Sequence, residues 1–477
     1  MLRGEQGGDH ATPDDRGMTL AAVVLMAALL AAAPGAHSME ENETPLPDGV
    51  ERQSPQSTII FTPLYTLYLP IAMQSQPRAE VRALWVSRYD WTAFGVTPTA
   101  ADVQRIVSDA VYAGFNTIFF QVRGAGDAYY TPGTEPWASR LTGTAGPSLG
   151  RDPGWDPLAT MIALAHASGI SVQAYLNVYP AWLAPPAPLN PPTSTYGSLT
   201  PTLNINPPQW LNQLTYGPSH FGIYGLGYTW RVYDAITHPM PIEYGQYVWA
   251  SPAAPAVQDS VVSVTAYLAS HYALDGIHLD YIRYPGSPYS YDPFTMAAFS
   301  AARQLSPTLA ITDWRGDFQR AQVSNLVARI YTDTARGNLL LSAAVWPRYA
   351  EGHDQYFLDS KAWLASGTID VIAPMLYGTD RFTDLSRWTG AAQEFQAAAS
   401  GRWVLPGIGV EVNSETCVGF DQIATRIEAA RNLSTAGQAI LSYGGLRTCK
   451  EGDVSFLDLL HQGPYTQRAS PPPVKWK

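Results

Sequence analysis

The sequence is poor in charge, and positive charge is the scarcer of the two signs. Only 14% of its 477 residues are charged, and 29 basic residues stand against 40 acidic ones, which gives a net charge of −11. Proteins that bind nucleic acid or anionic membrane surfaces do so chiefly through clustered lysine and arginine. The shortage of basic residues therefore argues against either kind of partner.

Signature motifs of several enzyme classes are also missing from the sequence. It contains no cysteine–histidine spacing of a zinc site, no phosphate-binding loop and no serine nucleophile elbow. The histidines His166 and His278 stand apart from other candidate ligands. We therefore expect neither a metal ion nor a cofactor.

A long apolar run, residues 19–33, lies near the N-terminus and is followed by small residues up to Ser38. It is short for a membrane span and ends as the cleavage region of a signal peptide does. We interpret residues 1–38 as a signal peptide, with a retained N-terminal anchor as the alternative. The protein is then extracytoplasmic, secreted or in the cell envelope. Residues 39–79, rich in proline and serine, are predicted to form a linker with a short apolar segment.

From residue 80 onward, strand-like runs alternate with amphipathic helical runs. The predicted strands are 81–87, 115–123, 170–177, 275–282, 339–346, 369–377, 403–411 and 438–444. The predicted helices are 100–113, 156–168, 256–272, 314–336, 354–366, 384–400, 420–432 and 453–461. Eight such units predict an α/β fold, a (β/α)8 TIM-type barrel, over residues 80–465, with a C-terminal tail at 466–477.

A doubly wound open sheet is the alternative, and the lack of a glycine-rich phosphate fingerprint after the first strand disfavours it. The predicted strand-to-helix loops are long, above all the one from Asn177 to Pro255. Loops of such length usually serve as lids or binding walls. In a barrel they gather at the face where the strands end.

The fourth predicted strand, within Asp275–Pro285, ends in an acid. Side chains alternate along a strand, so Ile277 and Leu279 share one face while His278 and Asp280 share the other. A barrel enzyme presents such an acid to its substrate at the carboxyl end of a parallel strand. The other interpretation is a buried aspartate that accepts hydrogen bonds from loop amides.

Only two carboxylates fall at the predicted strand ends, Asp280 and Glu411. Two facing acids are what glycoside hydrolysis needs, one to protonate the leaving oxygen and one to act as nucleophile or base. We expect Asp280 to be the proton donor because it should lie deeper in the barrel mouth, where burial raises a carboxyl pKa. Glu411 has a simple loop cap as its alternative role.

The other side chains expected at the mouth are polar or aromatic, as in a sugar subsite. Arg123 is expected to face the substrate or another acid. Trp137 and Trp346 would stack on sugar rings. The full set assigned to substrate binding is Gln121, Arg123, Asp127, Trp137, Tyr175, Asn177, His278, Arg283, Trp346 and Tyr377.

Several stretches resemble those of the glycosyl-hydrolase-like family 10, bacterial envelope proteins with a TIM-type barrel. They are 115–123, 126–128, 135–137, 141–143, 154–158, 165–166, 275–285, 313–315 and 369–374. The resemblance implies a polysaccharide substrate, with cell-wall glycan as one option. It makes an exported glycoside hydrolase the predicted function.

The fourth strand is also similar to the acidic strand of family-18 chitinases, and residues 375–377 are similar to their sixth-strand motif. Those enzymes carry a catalytic glutamate two residues beyond the aspartate, where this chain has Ile282. Family 10 members often have a second acid directly after the aspartate, where this chain has Tyr281. A non-catalytic glycan-binding barrel is therefore the alternative function.

The chain has two cysteines, Cys417 and Cys449. They follow the seventh and eighth predicted strands on the same predicted face of the barrel. Exported proteins form disulfides far more readily than cytosolic ones. We expect these two cysteines to be joined.

Overall fold

The computed structural model describes residues 77–131, 133, 135–143, 150–183, 231–235, 240, 246–334, 339–377, 382–413 and 416–477. The predicted signal peptide, nearly all of the predicted linker and most of the long loop after Asn177 lie outside the described residues. Within the described ranges, no helix combines the length and the apolar character that a membrane crossing needs.

A parallel β-sheet forms the centre of the fold. Its strands are β1 (Val81–Val86), β2 (Thr117–Arg123), β3 (Ser171–Asn177), β4 (Gly276–Asp280), β5 (Leu340–Val345), β6 (Val371–Pro374), β7 in two pieces (Trp403–Val404 and Gly407–Gly409) and β8 (Gly437–Leu441). Each strand from β1 to β6 pairs with the next one along the chain, and β8 pairs with β1. The eight predicted strands are therefore all present.

The two pieces of β7 close the sheet into a barrel. The first piece pairs with β6 and the second with β8. Between them, the Leu405 N–H donates to Ile372 O at 2.9 Å, and the Ala439 N–H donates to Pro406 O at 3.2 Å. Pro406 has no N–H to continue a ladder, which suits the point where the strand changes partner. The predicted (β/α)8 barrel is confirmed.

Helices alternate with the strands. They are α1 (Ala100–Ala113), α2 (Pro157–Ala167), α3 (Pro255–His271), α4 (Pro293–Leu305), α5 (Ile311–Asp333), α6 (Tyr349–Gln355), α7 (Ser360–Ser366), α8 (Leu385–Ala397), α9 (Phe420–Asn432), α10 (Tyr443–Thr448) and α11 (Phe456–Gln462). The bounds of α1 and α9 agree with the prediction to the residue.

The structure differs from the predicted elements in three places. No helix is predicted over α4, which Asp292 caps by accepting hydrogen bonds from the N–H groups of Phe294 and Thr295. The predicted helix 354–366 is two helices, because Phe357 between them has a positive φ of 55° that a helix cannot accommodate. The end of the predicted eighth strand belongs to α10, which Ser442 caps.

Apolar side chains fill both the layer under the helices and the inside of the barrel. Inside, Trp85, Phe119 and Tyr175 pack with small residues from β5, β6 and β8. Every residue of β1, β2 and β4 is buried. Strands buried on both faces are what a barrel covered by helices requires. Polar groups on these strands therefore need partners, which is informative for the site.

Short pairings outside the barrel shape its two ends. Residues Pro180–Leu183 and Tyr247–Trp249 form an antiparallel pair beyond the carboxyl end of β3. The final residues are bound to the barrel: Ala469–Ser470 pair with Arg78–Ala79, and the Trp476 indole donates to Asp370 at 2.6 Å.

Candidate functional site

Asp280, the last residue of β4, is buried with 8% of its surface exposed. Tyr175 donates its hydroxyl to Asp280 Oδ2 at 2.8 Å, and Arg283 Nη1 lies 3.5 Å from Oδ1. Tyr281 adopts a φ of 53°, uncommon for a residue with a side chain, and donates its N–H to Oδ1 at 2.6 Å. The left-handed turn thus ends the strand and directs a backbone donor at the acid.

Tyr175 keeps its proton at any pH of interest. Burial raises the pKa of Tyr175 well above its usual range, and the charge of Asp280 raises it further. The phenol is therefore a fixed donor, and Asp280 is held as an acceptor. In the structure Asp280 thus accepts hydrogen bonds, and the proton-donor role expected from the sequence stays a prediction.

A row of amides lies beside Asp280 on the neighbouring strand ends. Asn177 is the register partner of Asp280 across β3 and β4. Its Oδ1 accepts from Gln121 at 3.1 Å, and its Nδ2 donates to Gly124 O at 2.9 Å and lies 3.3 Å from the Tyr247 hydroxyl. Gln121 in turn accepts from the backbone N–H of Arg88 at 2.9 Å. The row joins the ends of β2, β3 and β4 into one polar surface.

Arg123 faces an acid rather than the barrel mouth. Its Nε lies 2.8 and 2.9 Å from the two carboxylate oxygens of Glu135, and both side chains are almost fully buried. Its Nη1 donates to Asn177 O and to Val178 O. A bulge between Gln121 and Arg123 breaks the alternation from which an inward direction was predicted. Arg123 holds the chain that follows β3 in place.

His278 lies inside the barrel and is fully buried. The Trp85 indole can only donate, so at 2.9 Å it fixes His278 Nε2 as an acceptor. Nδ1 then carries the hydrogen and donates to Ser342 Oγ at 2.7 Å, and Ser342 donates to Gln173 at 2.6 Å. Burial lowers the pKa of His278 to about 3, so the ring is neutral. Both nitrogens are used within the protein, two residues below Asp280.

Aromatic rings surround the turn after Asp280. Tyr281 contacts Tyr247 and Trp249, each at 5.4 Å between ring centroids. The Arg283 guanidinium lies 4.6 Å from the Tyr281 ring and 5.4 Å from that of Trp346. These rings and the guanidinium form one group at the carboxyl end of β4, and the substrate-binding role of Arg283 and Trp346 stays a prediction.

Two more of the predicted substrate contacts, like Arg123 and His278, make their contacts within the protein. Trp137 is 7% exposed and belongs to the main apolar core. Asp127 accepts from the backbone N–H groups of Gly124 and Ala125, at 3.2 and 2.8 Å. Both residues shape the loop after β2, which carries Gly124 against Asn177.

Glu411 lies just beyond β7, in a depression at the surface of the barrel. Tyr377, Phe382, Gly409 and Arg426 help to line it. Burial raises the pKa of Glu411. Burial also raises the pKa of Tyr377 well above its usual range, and the charge of Asp280 adds to this effect. Tyr377 thus lines the depression that holds Glu411, and it is also close enough to Asp280 for that charge to raise its pKa.

A third acid, Asp90, is not among the site residues predicted from the sequence. It follows β1, accepts from the Ser87 N–H at 2.7 Å and from the Ser442 hydroxyl at 3.1 Å. Burial raises its pKa to about 6. The Ser-x-x-Asp spacing of 87–90 was the available signal for a capped turn.

Across the described part of the chain, no three histidine, cysteine or carboxylate side chains are grouped to hold a metal ion.

Cys417 and Cys449 form a disulfide with a Cα–Cα distance of 5.8 Å. Cys417 is also the register partner of Glu411 in the small hairpin after β7. Cys449 ends α10 and is 1% exposed. The disulfide therefore ties the hairpin that carries Glu411 to the loop after β8.

Loss of this disulfide should destabilise the barrel. The cysteines are 32 residues apart in sequence, and a closed loop of that length is worth about 3–4 kcal/mol in the chain-entropy model. We expect the Cys417→Ser, Cys449→Ala double variant to show a lower Tm than the oxidised wild type. Thermal unfolding with and without reductant checks this. Two free thiols in unreduced wild-type protein, or equal Tm values, would disprove it.

The chain matches the sequence model of the glycosyl hydrolase-like 10 family over residues 80–184 and 234–405. It is 27% identical over 354 residues to glycosyl hydrolase DigH of Escherichia coli K12, covering 67% of this chain and 71% of DigH. It is 25% identical over 349 residues to glycosyl hydrolase YngK of Bacillus subtilis 168, covering 67% of this chain and 58% of YngK.

Solved structures share the fold at low sequence identity. The glycoside hydrolase domain of PgaB (BpsB) from Bordetella bronchiseptica superposes with a TM-score of 0.50 at 12% identity, covering 77% of this chain and 95% of that domain. The catalytic domain of the beta-amylase from Paenibacillus polymyxa gives 0.52 at 11% identity, covering 83% of this chain and 100% of that one. These two similarities concern the barrel alone.

Proposed function

The chain belongs to the glycosyl hydrolase-like 10 family, and from that membership we propose that it is an exported glycoside hydrolase acting on a polysaccharide. One observation carries the proposal: a buried carboxylate, Asp280, ends β4 beside the Arg283 guanidinium and the aromatic rings of Tyr281 and Trp346. Enzymes with this fold act at the carboxyl ends of their strands. Cell-wall glycan is the first substrate to test, because the relatives DigH and YngK are bacterial glycosyl hydrolases.

The reaction divides between two acids. Glu411, whose pKa burial raises, protonates the glycosidic oxygen as the bond to the anomeric carbon breaks. Asp280, held as an acceptor by Tyr175 and the Tyr281 N–H, attacks that carbon or takes a proton from the attacking water. The carboxyl separation in a substrate complex decides between them: about 5–5.5 Å for a retaining enzyme and about 6.5–9.5 Å for an inverting one.

The surrounding residues position the substrate and the acid. Asn177 and Gln121 present an amide row beside Asp280, and Tyr377 lies between the surroundings of the two acids. Tyr281, Arg283 and Trp346 supply flat surfaces for sugar rings. His278, which accepts a hydrogen bond from Trp85, packs inside the barrel two residues before Asp280 on β4.

Export is supported by the apolar run at residues 19–33 and the small residues that follow it. N-terminal sequencing of protein recovered outside the cytoplasm tests this part of the proposal. A mature chain that starts near residue 39 supports cleavage, whereas recovery of the full chain in the cytoplasm alone would contradict export.

A glycan-binding barrel without catalysis is the second candidate. It is favoured by Ile282, which is fully buried in the place of the chitinase glutamate, and by the tyrosine at position 281. In this view Asp280 only orders the turn, because its oxygens accept from Tyr175 and the Tyr281 N–H.

One experiment separates the two functions. Purified protein is incubated with insoluble cell-wall glycan, and both the reducing ends released and the protein retained on the glycan are measured. The proposed hydrolase releases reducing ends in a time-dependent way. Retention without release, in the wild type and in Asp280→Asn alike, identifies a binding barrel. If the protein releases no reducing ends and is not retained on the glycan, both functions are contradicted for this glycan.

A further inference from the structure

Two exposed aromatic residues lie in the loop after β1, at the face where the strands end. Tyr89 is 51% exposed and Phe94 is 47% exposed, and Val96 next to them is 62% exposed. Exposed apolar groups that cluster, rather than occur singly, mark binding surfaces. The loop lies on the same face as Asp280, because β1 and β4 belong to one parallel barrel.

Arg140 fixes the two rings relative to each other. Its guanidinium carbon lies 4.8 Å from the centroid of the Tyr89 ring and 4.6 Å from that of Phe94. The guanidinium is itself held, since Nε donates to Thr92 Oγ1 at 2.8 Å and Nη2 donates to Thr92 O at 2.5 Å. The group is therefore pre-organised, which lowers the entropic cost of binding a ligand.

Contacts run without interruption from this group to Asp280. Arg88 Nη2 donates to the hydroxyls of Tyr89 and Tyr247, at 2.6 and 2.7 Å. The Tyr247 ring contacts Tyr281, whose N–H donates to Asp280. Tyr89 is thus connected to the candidate catalytic turn through Arg88 and Tyr247.

We propose that Tyr89, Arg140 and Phe94 form a distal sugar-binding subsite, which takes a ring of the same glycan chain some units away from the cleaved bond. The proposal rests on the proposed function, since the chain must pass Asp280. Phe94 offers the ring surface that Arg140 leaves exposed to the apolar face of a sugar. Tyr89, which has Arg88 and Arg140 4.3 and 4.8 Å from its ring centroid, offers the exposed part of its ring, and Arg140 Nη1 offers N–H donors to the sugar oxygens. The protein is therefore expected to bind long chains more tightly than short ones.

Binding to an inactive background tests the subsite independently of hydrolysis. In Asp280→Asn protein, the Kd values of a long and a short oligosaccharide of the same glycan are measured by calorimetry. Tyr89→Ala and Phe94→Ala should each weaken binding of the long chain by roughly 2- to 10-fold and leave the short chain unchanged. Tyr89→Phe, which keeps the ring, should retain most of the affinity.

Tyr112→Ala is the matched control, because Tyr112 is 45% exposed but lies on α1, where its ring stacks on His461. Equal Kd values for Phe94→Ala and Tyr112→Ala with the long chain would overturn the subsite. An equal loss for long and short chains would also overturn it, since the effect would then not be distal. If the wild type does not hydrolyse glycan, the proposed hydrolase fails, while the Kd values still decide the subsite.

Discussion

Replacing Asp280 by asparagine should lower kcat by about 10²- to 10⁴-fold, the usual contribution of a group that acts as acid or base in the reaction. Asparagine keeps the size of the side chain and can still accept from Tyr175 through its amide oxygen. Its NH2 group, however, then faces the Tyr281 N–H and Arg283. These hydrogen-bond donors lose the acceptor that Asp280 Oδ1 provides. We expect a stability loss of about 1–3 kcal/mol from that mismatch, with the barrel still folded.

Reducing-end release gives kcat and KM, and thermal unfolding reports the fold. Asp259→Asn is the control: it makes the same change on the outer side of α3, where the Asp259 side chain is 66% exposed and pairs with Arg329. That variant should have wild-type kcat. A folded Asp280→Asn protein with wild-type kcat would remove Asp280 from the reaction.

Breaking the buried pair of Arg123 and Glu135 should have the largest effect on stability. Arg123→Met removes one partner of a buried ion pair with Glu135, a change that typically costs about 3–5 kcal/mol. It also removes the donor to the carbonyl oxygens of Asn177 and Val178, directly beside Asp280. We therefore expect a lower free energy of unfolding and a lower kcat together. Denaturant unfolding followed by fluorescence measures the first.

The Arg105 and Asp102 pair on α1 provides the contrast, with the Arg105 side chain 43% exposed. Arg105→Met should cost no more than about 1 kcal/mol, because solvent screens such a pair. Adding Glu135→Gln to Arg123→Met should recover part of the loss by removing the remaining charge. Equal destabilisation by Arg123→Met and Arg105→Met would contradict a structural role for the buried pair.

The barrel could be predicted from the sequence because its signals are local and repeated. The alternation of strand-like and helical runs located all eight strands, and the bounds of α1 and α9 follow from their caps and apolar spacing. The split of β7 was not foreseen. It depends on which neighbour each backbone group meets at Leu405 and Pro406, which is a property of the closed sheet.

The direction of individual side chains was harder to predict. Alternation places Asp280 correctly at the mouth, since β4 is regular up to that residue. It fails for Arg123, because a bulge inserted one residue before it turns the side chain towards Glu135. β2 contains no glycine, the residue that most often signals a bulge in a strand-like run.

Contacts made by loops were missed for a related reason. Asp90 and the Tyr89–Arg140–Phe94 group become neighbours of other residues only when the loops after β1 and β2 meet. Which side chains of two distant loops contact each other depends on the whole fold. Hydrophobic periodicity predicts only the secondary structure of the segment in which it occurs. From the sequence, Asp280 and Glu411 fall at strand ends, and the proton-donor role expected of Asp280 rests on its depth alone, because contacts such as the hydrogen bond from Tyr175 depend on the fold.

The pH dependence of kcat/KM in the wild type, Glu411→Gln, Asp280→Asn and Asp90→Asn tests this division most directly. The alkaline limb reports loss of the proton from the general acid, and the acid limb reports protonation of the base or nucleophile. With Glu411 as donor, Glu411→Gln loses the alkaline limb, Asp280→Asn loses the acid limb, and Asp90→Asn keeps both. An alkaline limb that survives in Glu411→Gln and disappears in Asp280→Asn or Asp90→Asn would contradict the account.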